Sequence, residues 1–258
     1  MADVGRGGSG RGYGVPMAGD SGLREYRPVV ASDRDEDARH RAASWLLSMA
    51  AGSTDALCLL YLGGVFASVI TGNLVVFAAS VVRGQTIATV GAAAEVVAYG
   101  LSVFAGSRLV ARMRSPGHRE RTPPRPTVVT TCLVIETILL LGLCAGWLAS
   151  GGRPHGGAQP GLLVLAGAAM GMQTIAVRAL GRPGLSTTYL TGAATRLVAG
   201  IGERDWLRRF DRVQAVALLG LVIGAAVESV LLRYLPLIGV LPAALLAAGT
   251  AVWARRRR

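Results

Sequence analysis

Apolar stretches long enough to cross a bilayer recur from Ala42 to the end of the chain, and this feature constrains the fold more than any other. A hydrocarbon core of about 30 Å needs about 20 apolar residues in helical form. The stretches 127–149, 214–234 and 235–254 meet that length. Helices buried in soluble domains rarely repeat at it. Hydrophobic residues make up 52% of the chain. Soluble domains reach a similar share, so the distribution carries the conclusion and not the total. The sequence predicts an all-α, polytopic transmembrane helix bundle with the lipid bilayer as its first partner.

Eight hydrophobic segments can be delimited, at about 44–62, 65–82, 87–110, 127–149, 161–180, 185–201, 214–234 and 236–254. The second and sixth are weak, being short and dense in Gly, Ser and Thr. Residues 1–43 are rich in Gly, Arg and Asp and offer little apolar surface, so they read as a disordered cytoplasmic tail. The first apolar stretch follows a tail too long for a cleavable signal, so 45–62 is expected to remain in the membrane. The transmembrane domain is 44–254, and 255–258 is a basic C-terminal tail.

The net charge of +12 comes entirely from Arg, since the chain has no Lys. The Arg residues lie in the tails and in short loops between apolar runs, where the positive-inside rule places them. They therefore read as topology signals and not as a nucleic-acid surface. Residues 111–126 carry Arg112, Arg114, Arg119, Arg121 and Arg125, and 203–213 carry Arg204, Arg208, Arg209 and Arg212. Eight crossings from an inside tail would put the first of these loops outside. If one segment of each weak pair fails to cross, six crossings remain, and both tails and both basic loops fall inside. That choice requires non-helical backbone at membrane depth, covered by protein or lining a cavity.

A weak internal repeat supports two similar halves. Gly52, Ser53, Thr54 and Asp55 are followed by Gly63, Gly64, Thr71, Gly72 and Asn73; later, Gly171, Gln173 and Thr174 are followed by Gly181, Thr191 and Gly192. The four-segment unit occurs at about 44–149 and 161–254. With three crossings per unit the second copy enters from the opposite face, so the repeats are inverted. Inverted repeats with interrupted, Gly-rich segments at matching positions mark a midplane site in transporters.

Asp55 lies mid-way along an apolar segment, where a carboxylate costs at least ~2.5–3.5 kcal/mol unless paired or hydrated. Two readings stand: an ion or proton site, or a structural partner for a backbone amide or hydroxyl. Thr71-Gly72-Asn73 and Thr191-Gly192 suit a helix break, and the same groups can coordinate a cation or polar solute. Glu95, Glu136 and Glu228 also sit in apolar runs, with Arg178 and Arg196 in or near the fifth and sixth segments as candidate partners. The GxxxG spacings Gly142–Gly146, Gly167–Gly171 and Gly220–Gly224 read first as internal packing and second as a homo-oligomer interface. Cys58, Cys132 and Cys144 form no CxxC pair and have no His at metal spacing. They read as small buried hydrophobes, and no metal site is expected. There is no HExxH, GxSxG or Walker loop, so no catalytic residue, cofactor or enzyme activity is expected.

The segment AGSTDALCLLYLGGVFASVITGNLVVFA resembles the signature of the YoaK family of bacterial integral membrane proteins (domain of unknown function 1275), approximately AGxxDAxxFLxLGGxFxSxxTGN. MGMQTIAVRALGRPGLSTTYLTGAATRL is similar to the second signature of that family, and the resemblance covers about 42–254. The matching positions are Gly52, Asp55, Gly63, Gly64, Thr71, Gly72 and Asn73, then Gly171, Gln173, Gly184, Thr187, Thr188, Thr191 and Gly192. Cys58-Leu59 departs from the pattern where the family often carries an aromatic nearby. The resemblance implies a small multi-pass protein of the bacterial inner membrane. Taken with the repeat, the sequence reads as a small-solute or ion transporter. Asp55, Thr71, Gly72, Asn73, Gln173, Thr188, Thr191 and Gly192 are then the candidate site. The alternative is a non-transporting scaffold or regulator that uses them for packing.

Overall fold

A computed structural model of the protein describes residues 27–113, 126–180, 192, 194, 195, 198, 199, 212–238 and 240–255. The regular elements among them are all helices: α1 (Arg27–Tyr61), α2 (Ile70–Val82), α3 (Thr86–Met113), α4 (Pro126–Ala149), α5 (Ala158–Ala179), α6 (Arg212–Tyr234) and α7 (Leu241–Arg255). By length and composition α1 from Arg41, α3, α4, α5 and α6 can each span a membrane. The protein is thus a multi-pass transmembrane helix bundle. The weak sixth segment and most of both basic loops lie outside the described residues. The chain divides into two compact units, 1–39 and 40–258.

Three boundaries differ from the sequence reading. First, α1 begins at Arg27, inside the stretch assigned to the tail. From Val29 to Ala43 the chain has no Gly or Pro, and a helix already nucleated extends at little cost through such a stretch. Second, the chain is not helical from 62 to 69, and α2 is left with 13 residues. At 1.5 Å per residue α2 covers about 20 Å, less than the apolar thickness. The break starts where Gly63 (φ 109°) and Gly64 (φ 76°) take left-handed backbone that other residues rarely adopt. Third, α7 starts at Leu241 and not at 236. The carbonyls freed there are met from α4, with Trp147 Nε1 donating to the Pro236 oxygen (2.7 Å) and the Cys144 thiol to the Val240 oxygen (3.2 Å).

Burial sorts the spans into a core pair and a rim pair. Over their most apolar stretches α1 and α5 are each 72% buried, and α3 and α6 only 28%. The rim helices reverse the pattern of a soluble protein. On α3, Val90, Val97, Leu101 and Phe104 face outward, while Gly91, Ala92, Glu95, Ala98, Ser102 and Gly106 face the bundle. Small inward residues let helix backbones approach where lipid offers no hydrophobic drive for association.

The contacts fix helix direction. The Gln173 amide of α5 donates to the Leu47 oxygen of α1 (2.8 Å), and Gln159 at the start of α5 lies beside Gly63, just past the end of α1. The core pair is therefore antiparallel. A Cβ on Gly167 would lie 2.9 Å from the Glu95 oxygen, and one on Gly171 would lie 2.8 Å from the Tyr99 oxygen. Gly106 meets Ile175 further along, so α3 and α5 run parallel. In the same manner Gly220 meets Trp45, and a Cβ on Gly224 would fall on the Met49 oxygen, so α1 and α6 run parallel. The GxxxG pairs 167/171 and 220/224 thus seat helices inside this bundle. It follows that α1 and α3 run in opposite directions with α2 between them, and α5 and α6 likewise.

Candidate functional site

The conspicuous polar residues of the first signature converge on the break. Asp55 Oδ1 accepts from the amides of Ala67 and Ser68 (both 2.7 Å), and Oδ2 accepts from the Ser68 hydroxyl (2.6 Å). Asn73 Oδ1 accepts from the Phe66 amide (2.8 Å), and its side-chain amide donates back to the Phe66 carbonyl. Asp55 and Asn73 are both buried. A stranded backbone group in a water-free interior costs several kcal/mol, so irregular backbone at this depth requires such partners. Of the two readings open for Asp55, the structure realises the partner for backbone amides and a hydroxyl. Its neighbours in the motif divide: Gly72 is half-buried, with its Cα side against Val69 and Phe66, and Thr71 is exposed.

In the second half Gln173 is fully buried and ties α5 to α1 through Leu47, while its own carbonyl oxygen meets no partner. Thr188, Thr191 and Arg196 lie outside the described residues, as do Gly184 and Thr187, and Gly192 is half-buried. The structure therefore brings Asp55 and Asn73 to one site and leaves Thr71 off it.

The glutamates have a different environment. Glu95 on α3, Glu136 on α4 and Glu228 on α6 are buried, the first two completely. Both oxygens of Glu95 and of Glu136 lack a hydrogen-bond partner, as does Oε1 of Glu228, whose Oε2 accepts from the Ser53 hydroxyl of α1. The expected pairing with Arg178 does not form. Arg178 is exposed in the last turn of α5, where a cation also complements the helix dipole. The Glu95 carboxyl occupies the space left by Gly167, and a Cβ there would come within 2.5 Å of Oε1. Cys58, completely buried on α1, lies within electrostatic reach of Asp55, Glu95 and Glu228. Carboxyl groups from α1, α3 and α6 thus surround one part of the core. All three cysteines are buried and free. No group of three His, Cys, Asp or Glu side chains among the described residues could hold a metal ion.

Sequence reasoning missed Ser53, Ser68 and Gly167 as partners of these groups. Ser53 and Ser68 stand inside the first signature and Gly167 inside a GxxxG spacing, so their positions were marked without their roles. Two shallow cavities flank α3 and α5. One of about 480 Å³ is lined by Gly63, Gln85, Thr86, Ile87 and Ala88, beside the break. The other, about 310 Å³, is lined by Ser107, Val110, Ile175, Arg178 and Ala179 at the far end of the same two helices. Glu95 lies between them along α3.

Comparison with known proteins agrees in class. The profile of the family described as "Protein of unknown function (DUF1275)" matches residues 43–253. A relative from Bacillus subtilis (strain 168), the "UPF0700 transmembrane protein YoaK", is 26% identical over 190 residues, which cover 70% of this chain and 79% of the relative. No solved structure matches.

Proposed function

The chain is a transmembrane member of the DUF1275 family, and from that premise we propose that it is a small-solute or ion transporter built from two inverted halves. The observation that carries this reading is the non-helical segment 62–69, which follows α1 and folds back beside Asp55 and Asn73. Irregular backbone held among spans in this way is how transporters build a midplane site. The directions of α1, α3, α5 and α6 agree with it, because α1 opposes α3 and α5 opposes α6. In this reading each half makes three crossings, and α7, at 15 residues, completes the second. Both tails and both basic loops then lie in the cytoplasm of a bacterium, and the membrane is its inner one. Alternating exposure comes from one half rocking against the other about the α1–α6 and α3–α5 contacts.

The scaffold reading draws on one observation: Asp55 and Asn73 have spent their polar atoms on the break and leave none for a solute. Flux separates the two. Purified protein in liposomes is challenged with gradients of inorganic ions and small organic solutes, and charge or solute movement is recorded. A transporter moves at least one class at a rate above protein-free liposomes. A folded protein that moves none is a scaffold. The inverted arrangement is tested by a single cysteine at Ser115 in a background lacking Cys58, Cys132 and Cys144. Protection from an impermeant maleimide until cells are opened agrees with six crossings, and labelling of intact cells contradicts them.

A further inference from the structure

We infer that Glu95 and Glu228 are proton-binding groups, one contributed by each half, and that the proton is the ion coupled to movement of the solute. This rests on the transport reading and names its coupling ion.

Glu95 is on α3, packed in parallel on α5, and Glu228 is on α6, packed in parallel on α1. Each carboxyl thus lies where a rim helix meets a core helix. Glu95 sits near the N-terminal end of α3, and Glu228 near the C-terminal end of α6. Because α3 and α6 run in opposite directions, those ends lie towards the same side of the bundle.

Among the described residues no cation lies against either carboxyl. On α5 the backbone of Gly167 approaches Glu95, and on α1 Asp55 and Cys58 lie within electrostatic reach. Tyr99, one turn along α3, is bonded to Thr174 (2.9 Å). Ser53 meets one oxygen of Glu228, and no Arg or His among the described residues bonds either carboxyl. A carboxylate buried in this way is tolerated only when a cation comes to it. A metal ion needs several oxygens at coordination distance, about six for the common hard cations, and the described side chains do not assemble such a set. A proton needs one oxygen. It binds a carboxylate oxygen to give the neutral acid, and its release restores the carboxylate.

The test uses the full chain in liposomes. Infrared difference spectra across a pH series follow the carbonyl stretch of protonated carboxyl groups, and flux is measured under an imposed pH gradient. Glu95→Gln and Glu228→Gln keep shape and neutral hydrogen bonding, and circular dichroism verifies their helix content. Each variant should lose a distinct part of the protonated-carboxyl signal, and flux should lose its response to the gradient. Ser53→Ala, which removes the hydrogen bond to Glu228, should shift the Glu228 component and leave that of Glu95. If the signal in the double variant matches wild type, the inference is overturned. It is also overturned if flux in both single variants still follows the pH gradient, or if a sodium gradient alone drives it. Absence of any flux with loss of the infrared signal would leave the proton sites standing and remove the transport reading.

Discussion

Around the break between α1 and α2, every polar atom of Asp55 and Asn73 has a partner. At the carboxyl groups that α3, α4 and α6 bury, five of the six oxygens of Glu95, Glu136 and Glu228 have none. Both regions are buried among membrane helices, and both look equally anomalous in the sequence. The difference lies in what the polar groups leave behind. At the break they cancel a backbone liability, and the result is rigid irregular structure. At the glutamates the polar groups are themselves the liability. The signature residues Asp55 and Asn73 thus brace backbone, and on the proposed reading the glutamates are the groups that bind a proton.

This contrast can be broken by substitution. Combining Asp55→Leu with Asn73→Leu strands three amides, one carbonyl and one hydroxyl. At about 1–3 kcal/mol for each stranded group the loss is about 5–15 kcal/mol, comparable with the whole stability of a domain. The expected outcome is no monodisperse protein on size-exclusion chromatography in mild detergent. Glu228→Met gives up only the bond from Ser53, whose hydroxyl can turn to a carbonyl of its own helix. Replacing a poorly partnered buried acid by an apolar group of like shape is close to neutral, so thermal stability should change by about 1 kcal/mol or less. The smallest effect is expected at Thr71→Val. Thr71 belongs to the signature but is exposed, and a substitution there should stay within about 0.5 kcal/mol. A large loss would mean that the motif does more than brace the break.

Much of this architecture was legible in the sequence. Span length and apolar content are local properties, and α3, α4, α5 and α6 fall within a few residues of their expected places. The sequence placed a helix break at Thr71-Gly72-Asn73, but these residues open α2 and the break falls at 62–69, where Gly63 and Gly64 supply the left-handed backbone and Asn73 reaches back to hold it. Whether Asp55 faced a ligand or an amide twelve residues away was not legible, since that depends on how the chain folds back. Helix contacts were equally hidden. The spacing of Gly167 and Gly171 marked a close approach, but only packing reveals that the neighbour is Glu95. Arg178 was a reasonable partner by hydrophobic count, yet its place in the final turn of α5 lets the long side chain reach outward. Pro236 stops α6 from running on, and the carbonyls of Pro236 and Val240 between α6 and α7 find donors on α4, a compensation no local pattern contains.

The most direct test sets one residue from each region side by side. Thermal unfolding of Asp55→Leu and Glu95→Met, each close in shape to the acid it replaces, is measured in the same detergent against wild type. Asp55→Leu strands two amides and a hydroxyl, about 3–9 kcal/mol, and should lower the midpoint by about 10 °C or more. Glu95→Met strands nothing, and its midpoint should stay or rise. If Asp55→Leu unfolds with wild type while Glu95→Met falls by the larger amount, then the glutamate is the brace, and the division of roles proposed for the two regions is wrong.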